Sequence, residues 1–132
     1  MEAFSPAQEA RAILESQFLS LRLHAEQVGL RPENLVVTGG ASVNAVILQT
    51  LSSVFGKDLY AAEKSDSASL GAAYRAVHGF QCHAAHDVVP FSETMASAPA
   101  YRKVASPDPS AADLYTQSLG FLNRLEKSVT NG

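Results

Sequence analysis

Apolar residues recur along the first thirty positions at the spacing of a helix. Leu14, Phe18, Leu21, Ala25 and Val28 follow one another at intervals of four and three, which draws one apolar stripe on a helical surface. Ser5 is a favoured N-cap, Pro6 suits the first turn, and Gln8 completes a capping box. Gly29 supplies the stop, and Pro32 keeps the helix from resuming. Arg11, Arg22, His24 and Glu26 fall mostly off the stripe and are expected in solvent. Leu35-Val36-Val37 is a short unbroken apolar run rich in β-branched residues, the pattern of a strand buried on both faces. Thr38-Gly39-Gly40 breaks it. A second helix is predicted from about Ser42 to Phe55, with Ile47, Leu48, Leu51, Val54 and Phe55 inward and Gly56 as its end. Leu59-Tyr60-Ala61 reads as a second strand. Asp66 or Ser67 caps a third helix running to His78, with Gly79 as its stop. The order helix, strand, helix, strand, helix predicts an α/β fold with a parallel pair of strands.

Beyond Phe80 the period is lost. Pro90, Pro99, Pro107 and Pro109 stand among Ser and Ala, so residues 81–109 are predicted to form an irregular connection over the surface. A last helix is predicted from about Ser110 to Ser128, with Leu114, Phe121, Leu122 and Leu125 as its apolar side. Asn131-Gly132 is expected to fray.

Composition narrows the class. The 132 residues are 46% hydrophobic and 17% charged, too apolar for a disordered tail and about the length of one domain. Ten Lys+Arg against 13 Asp+Glu leave a net charge of −3, with no basic excess for a phosphate backbone, so nucleic acid is not an expected partner. The single cysteine, Cys82, cannot form an internal disulfide. Met1 to Ala7 lack a signal-peptide pattern, and no apolar run approaches the roughly 18 residues of a membrane span. The expectation is a cytoplasmic domain without a membrane partner.

Candidate chemistry is concentrated at Val37-Thr38-Gly39-Gly40-Ala41-Ser42-Val43-Asn44. Glycines between a strand and a helix let the backbone pass close to a ligand, and the following helix offers free N–H groups and the positive end of its dipole. One reading is therefore a phosphate or nucleotide edge. The other is a tight turn with Ser42 as N-cap. Neither the P-loop nor the dinucleotide fingerprint spacing is present. Ala68, Gly71 and Ala72 make a flat face on the third helix, suited to close packing on a sheet or to the floor of that edge. Cys82-His83-x-x-His86, with His78 nearby, has ligand types but no second thiol pair, so no metal site is expected. Asp58, Glu63, Asp66 and Asp87 follow turns or flank helices and read as caps or surface charges. No nucleophile stands in an elbow context. The spacing thus offers a binding loop and no catalytic residue.

Three segments together resemble the carboxy-terminal part of the FGGY carbohydrate kinases. They are Leu35-Val36-Val37-Thr38-Gly39-Gly40-Ala41-Ser42-x-Asn44, Ile47-Leu48-Gln49-x-Leu51 and Leu70-Gly71-Ala72-Ala73-Tyr74-Arg75-Ala76. The upstream Arg11-Ala12-Ile13-Leu14-Glu15-Ser16-x-Phe18 is similar to the family's preceding helix, with Ser16 where glycine is frequent. The resemblance implies an actin-like ATPase (ribonuclease H-like) fold, in which helices pack on a short parallel sheet. Residues 1–80 would be the C-terminal portion of the ATP-binding domain, 81–109 a connection, and 110–132 the C-terminal helix of that domain. It places Gly39 and Gly40 on the ATP site and Asn44 near the adenosine. It also implies phosphoryl transfer from Mg-ATP to a sugar hydroxyl. The sugar pocket, the catalytic aspartate and most of the Mg2+ site would lie upstream of Met1, and these residues by themselves would be inactive. The alternatives are a non-catalytic nucleotide-binding or interaction module, or a family member specific for a different sugar. Two strands of a larger sheet leave unpaired edges, so self-association is expected unless the tail packs over the gap.

Overall fold

The computed structural model describes residues 3–62 and 66–130. Helix α1 spans Pro6–Gln27 and opens with the expected box: the Ser5 amide donates to Gln8 Oε1 at 2.8 Å, and the Gln8 amide donates to Ser5 Oγ at 3.4 Å. Gly29 follows in the left-handed region at φ 81°. The predicted stripe is only partly used. Leu14, Phe18 and Ala25 are half-buried and Leu23 is buried, while Leu21 and Val28 stay exposed. The contact face is rotated because α1 packs on two other helices, residues 45–55 and 109–130.

Strand β1 (Leu35–Val37) runs parallel to β2 (Leu59–Ala62), with Leu35 opposite Leu59. The parallel pair is as predicted, but the sheet is mixed. β3 (Tyr101–Ala105) pairs antiparallel with the other side of β2, giving the order β1-β2-β3. β1 is covered on one face only, since α2 (Ala45–Phe55) packs on one side of the sheet. Val36 on the opposite side is 56% exposed, against the expectation of a strand buried on both faces.

Residues 81–109 are more ordered than their composition suggests. Helix α3 (Ser67–Ala85) passes through Gly79 and stops at His86, which takes a left-handed φ of 55°. A glycine within a helix costs about 1 kcal/mol of propensity without ending it, and no proline intervenes before residue 86. A short α4 (Phe91–Thr94) precedes β3. β3 has no readable period because Tyr101, Arg102 and Lys103 are all exposed, and it is defined by the open backbone groups of β2.

The core centres on α2. Leu48, Val54, Leu59, Ala61, Leu23 and Leu119 are the buried apolar residues among those described. The inward set predicted for α2 is buried or half-buried, but Thr50, Ser52 and Ser53 are buried as well. Their hydroxyls are satisfied: Thr50 donates to Val46 O at 2.8 Å, Ser52 donates to Lys57 O at 2.7 Å, and Ser53 accepts from the Asp108 amide at 3.1 Å. Arg22, expected in solvent, reaches inward and donates to Val54 O at 2.7 Å and to Thr116 Oγ1 at 3.1 Å. The last carbonyls of α2 lack helical partners, and a cation satisfies one of them.

Helix α5 (Pro109–Thr130) docks through a face that shares only Leu122 with the predicted one. Leu119 is buried, Tyr115 and Leu122 are half-buried, and Leu114, Phe121 and Leu125 are exposed. Polar tethers set this rotation. Tyr115 donates to Glu15 at 2.7 Å, and Glu126 pairs with His24 at 3.2 Å and accepts from Ser20 at 3.3 Å. Burial, then the bond to Glu15, raises the Tyr115 pKa above that of an ordinary phenol. The expected fraying of Asn131-Gly132 falls outside the described residues.

Two carboxylates fasten the tail. Lys103 pairs with Asp58 at 3.1 Å across β3 and β2, and Asp108 accepts from the Ser110 amide at 2.9 Å and the Ser110 hydroxyl at 2.7 Å at the start of α5. Hydrogen bonds from Ser106 and Lys103 hold Asp58 below its ordinary 3.8, and those from Ser110 and Ala111 do the same for Asp108. A depressed carboxylate stabilises the fold above the unfolded-state value and loses that contribution as the pH falls through the folded-state one. The thermal midpoint should therefore fall as the pH drops below about 4 and lose less in Asp108→Asn. An equal acid loss in Asp108→Asn, followed by circular dichroism, would remove Asp108 from this role.

Candidate functional site

The loop after β1 is built by local chemistry. Gly39 adopts φ 83°, where a side chain is strained. Gly40–Val43 then make a single 3-10 turn, closed by the Ser42 amide and hydroxyl, which donate to Gly39 O at 3.1 and 2.6 Å. The Ser42 hydroxyl is thereby engaged, and it is not the N-cap of α2. Asn44 is: its Oδ1 accepts from the amides of Val46 at 3.0 Å and Ile47 at 3.2 Å. The helix begins at Ala45, later than the predicted Ser42.

Gly39, Gly40 and Asn44 thus sit together at an exposed corner. A Cβ added at Gly39 or Gly40 would meet nothing within 4 Å. Backbone geometry accounts for glycine at 39, whereas at 40 neither the φ nor the protein's own packing requires it. Beside the loop a cleft of about 320 Å³ is lined by Ser42, Val43 and Leu48 together with Arg102 and Lys103 of β3. These two cations were not legible from the sequence as neighbours of the loop, because the pairing of β3 with β2, some forty residues apart along the chain, brings them there.

The small-residue face of α3 has no such neighbour. A Cβ at Gly71 meets nothing within 4 Å, and no α3 residue is buried. The close packing expected of Ala68, Gly71 and Ala72 is absent among the described residues. α3 is held at its other end, where His78 meets the Phe91 ring edge-on at 5.2 Å and Arg75 lies over that ring at 5.4 Å.

The titratable groups are engaged elsewhere. Asp66 caps α3 through the Ser69 amide at 3.2 Å, Asp58 pairs with Lys103, and Asp87 accepts from the Val88 amide at 2.7 Å. Glu63 lies outside the described residues. His78 Nε2 stands 2.7 Å from Val89 O and must donate there, so it has no lone pair for Cys82 Sγ at 3.6 Å. His83 and His86 stack on each other at 6.2 Å. Among the described residues no three His, Cys, Asp or Glu side chains converge as a metal group, and no helix is long and apolar enough to cross a membrane.

As Asn44 holds two free amides of α2, Asn44→Ala should lower stability by about 1 kcal/mol, while Asn44→Asp keeps most of it. In urea the midpoint should fall with an unchanged slope. An unaltered midpoint would show that the cap contributes nothing.

Residues 1–80 match the C-terminal domain of the FGGY family of carbohydrate kinases, and the chain belongs to that family. Its fold is a portion of the actin-like ATPase fold. The chain is 40% identical over 132 residues to a xylulose kinase of Mus musculus, which covers 98% of this chain and 23% of that protein. It is 48% identical over 91 residues to xylulose kinase 2 of Arabidopsis thaliana, which covers 67% of this chain and 16% of that one. The chain thus spans about a quarter or less of the length of these relatives. The crystal structure of xylulose kinase from Rhodospirillum rubrum superposes with a TM-score of 0.72 at 19% identity, covering 99% of this chain and 26% of that chain.

Proposed function

We propose that this chain is the nucleotide-side closing portion of a xylulose kinase, the enzyme that moves the γ-phosphoryl group of ATP to D-xylulose. The observation that carries the reading is the 40% identity across nearly the whole chain to the mouse enzyme. In this reading Gly39 and Gly40 present side-chain-free backbone to the adenosine half of ATP. The open space around both glycines fits a ligand that lies against the main chain. Asn44 sets the start of α2 and so the position of the loop. Arg102 adds a positive charge next to the loop, Lys103 being paired with Asp58, and that charge favours an anionic ligand. The loop itself offers hydroxyl and amide groups but no carboxylate, so in this reading Mg2+, the sugar and the catalytic base would be held by other parts of the kinase. When bound, Mg-ATP supplies the transferable phosphoryl group; the contribution of these residues is positioning. The open sheet face around Val36 and the bare face of α3 are where the rest of the kinase packs.

The test has two parts. Mg-ATP titrated into the isotope-labelled chain should shift the amides of residues 39–44. In Gly40→Val those shifts should weaken at least about tenfold in affinity, with the thermal midpoint unchanged because the new side chain has room. Saturating ATP that leaves these amides in place would overturn the assignment of the loop. Separately, the chain with ATP, magnesium and D-xylulose should form no sugar phosphate. Turnover above a blank would put the catalytic base within these residues.

A further inference from the structure

The sequence holds two serine–proline pairs, Ser5-Pro6 and Ser106-Pro107. A following proline marks a serine physically. It biases the serine's backbone to the extended region and takes one N–H donor out of the chain. A protein kinase whose groove leaves the amide after the target serine without an acceptor therefore discriminates against every other residue there. Such a groove also takes the neighbouring residues in extended form.

The structure separates the two pairs. Pro6 opens the 22-residue α1, so the residues after Ser5 are helical, and the Ser5 hydroxyl is engaged in the capping box. Ser106 is exposed and lies between β3, which ends at Ala105, and α5, which starts at Pro109. From Tyr101 to Asp108 the chain makes no helical turn. Among the described residues β3 pairs only with β2, so its outer side is open to a second extended backbone. The Ser106 hydroxyl donates to Asp58, which also pairs with Lys103 at 3.1 Å. On either side of it, Ser106 O accepts from Gln49 Nε2 at 2.8 Å and the Asp108 amide donates to Ser53 Oγ at 3.1 Å. These bonds hold residues 106–108 against α2 and β2. We propose that Ser106 is the target of a proline-directed serine/threonine protein kinase and that its phosphate unfastens this connection from Asp58.

In the transfer, Ser106 Oγ forms a bond to the γ-phosphorus of ATP and gives its proton to the base of the protein kinase. The bond from that phosphorus to the bridging oxygen breaks, and ADP leaves. The product has lost its donor and carries a charge of about −2 beside the Asp58 carboxylate. Lys103 cannot neutralise both anions, so the connection lifts and loosens β3 and the start of α5. A phosphate on Ser5 would act in the opposite sense, because the N-terminal end of a helix favours negative charge. The inference does not rest on the sugar-kinase reading.

The full chain treated with Mg-ATP and a proline-directed serine/threonine protein kinase should gain a phosphate that tandem mass spectrometry places on Ser106. Ser5→Ala should take it up unchanged, and Ser106→Ala should take up none. Pro107→Ala keeps the hydroxyl but should slow the transfer at least about tenfold. Phosphorylation should lower the thermal midpoint by about 5 °C and raise hydrogen exchange across residues 101–110 more than along α1. The drop should be smaller in Asp58→Asn, where the phosphate faces no carboxylate. Phosphate on Ser5 or elsewhere in place of Ser106, an equal rate in Pro107→Ala, an unmoved or raised midpoint, or an equal drop in Asp58→Asn would each overturn the inference.

Discussion

Leu59→Ala should remove more than half of the stability of the chain at room temperature. Leu59 is wholly buried and lies on the central strand, between β1 and β3 and beneath α2. Removing a buried leucine side chain costs about 2–5 kcal/mol, with the upper end where the walls cannot collapse. Strands pair with Leu59 on both sides, which holds the walls apart. A small domain holds about 5–15 kcal/mol in total, and the short buried set here points to the lower end. In urea the midpoint should fall by more than half. Val36→Ala on β1 is the matched control, because Val36 faces the open side; it should change stability by no more than about 0.5 kcal/mol. Equal losses at the two positions would show that the sheet is not covered from one side only.

Arg22→Ala should cost about 2 kcal/mol and loosen α5. The side chain is 13% exposed and holds three elements together: its Nε pairs with Glu26 at 2.8 Å within α1, and its Nη1 reaches Val54 O of α2 and Thr116 of α5. Hydrogen bonds from a charged donor are worth about 1.5–3 kcal/mol, and Val54 O would lose its cationic partner. Arg22→Lys should recover only part, since a single ammonium lacks the planar fork that serves several acceptors at once. Urea denaturation gives the size of the loss. Hydrogen exchange along α5 should rise more than along β2, and equal protection of α5 in Arg22→Ala would refute its role as a tether.

Arg22 also shows where reading the chain reaches its limit. Helical spacing placed it off the apolar stripe, which is correct for an isolated α1. Its burial depends on the C-terminal carbonyls of α2, some thirty residues away. The same holds for β3, whose exposed Tyr101-Arg102-Lys103 has no period, and for α5, whose docking face follows the tethers of Tyr115 and Glu126 and not the larger residues Phe121 and Leu125. At the candidate site the glycine corner is legible, because a glycine pair between a strand and a helix marks a turn, whereas the two readings of that turn, ligand edge or plain connection, are not told apart by the residues. The cap was assigned to Ser42 because two good capping residues stand two positions apart. Only the geometry of the 3-10 turn decides for Asn44.

What the residues alone determined is local and strongly signalled: the capped start and glycine stop of α1, the parallel pair Leu35–Val37 and Leu59–Ala61, the glycine corner, and the family. Each depends on contacts within a few positions or on an ordered set of short segments. What only the tertiary structure decided is which faces are used: the single covered side of the sheet, the third strand, the bare face of α3 and the outward stripe of α5. A side chain's burial is a property of what packs against it, and for these elements that partner lies far along the chain.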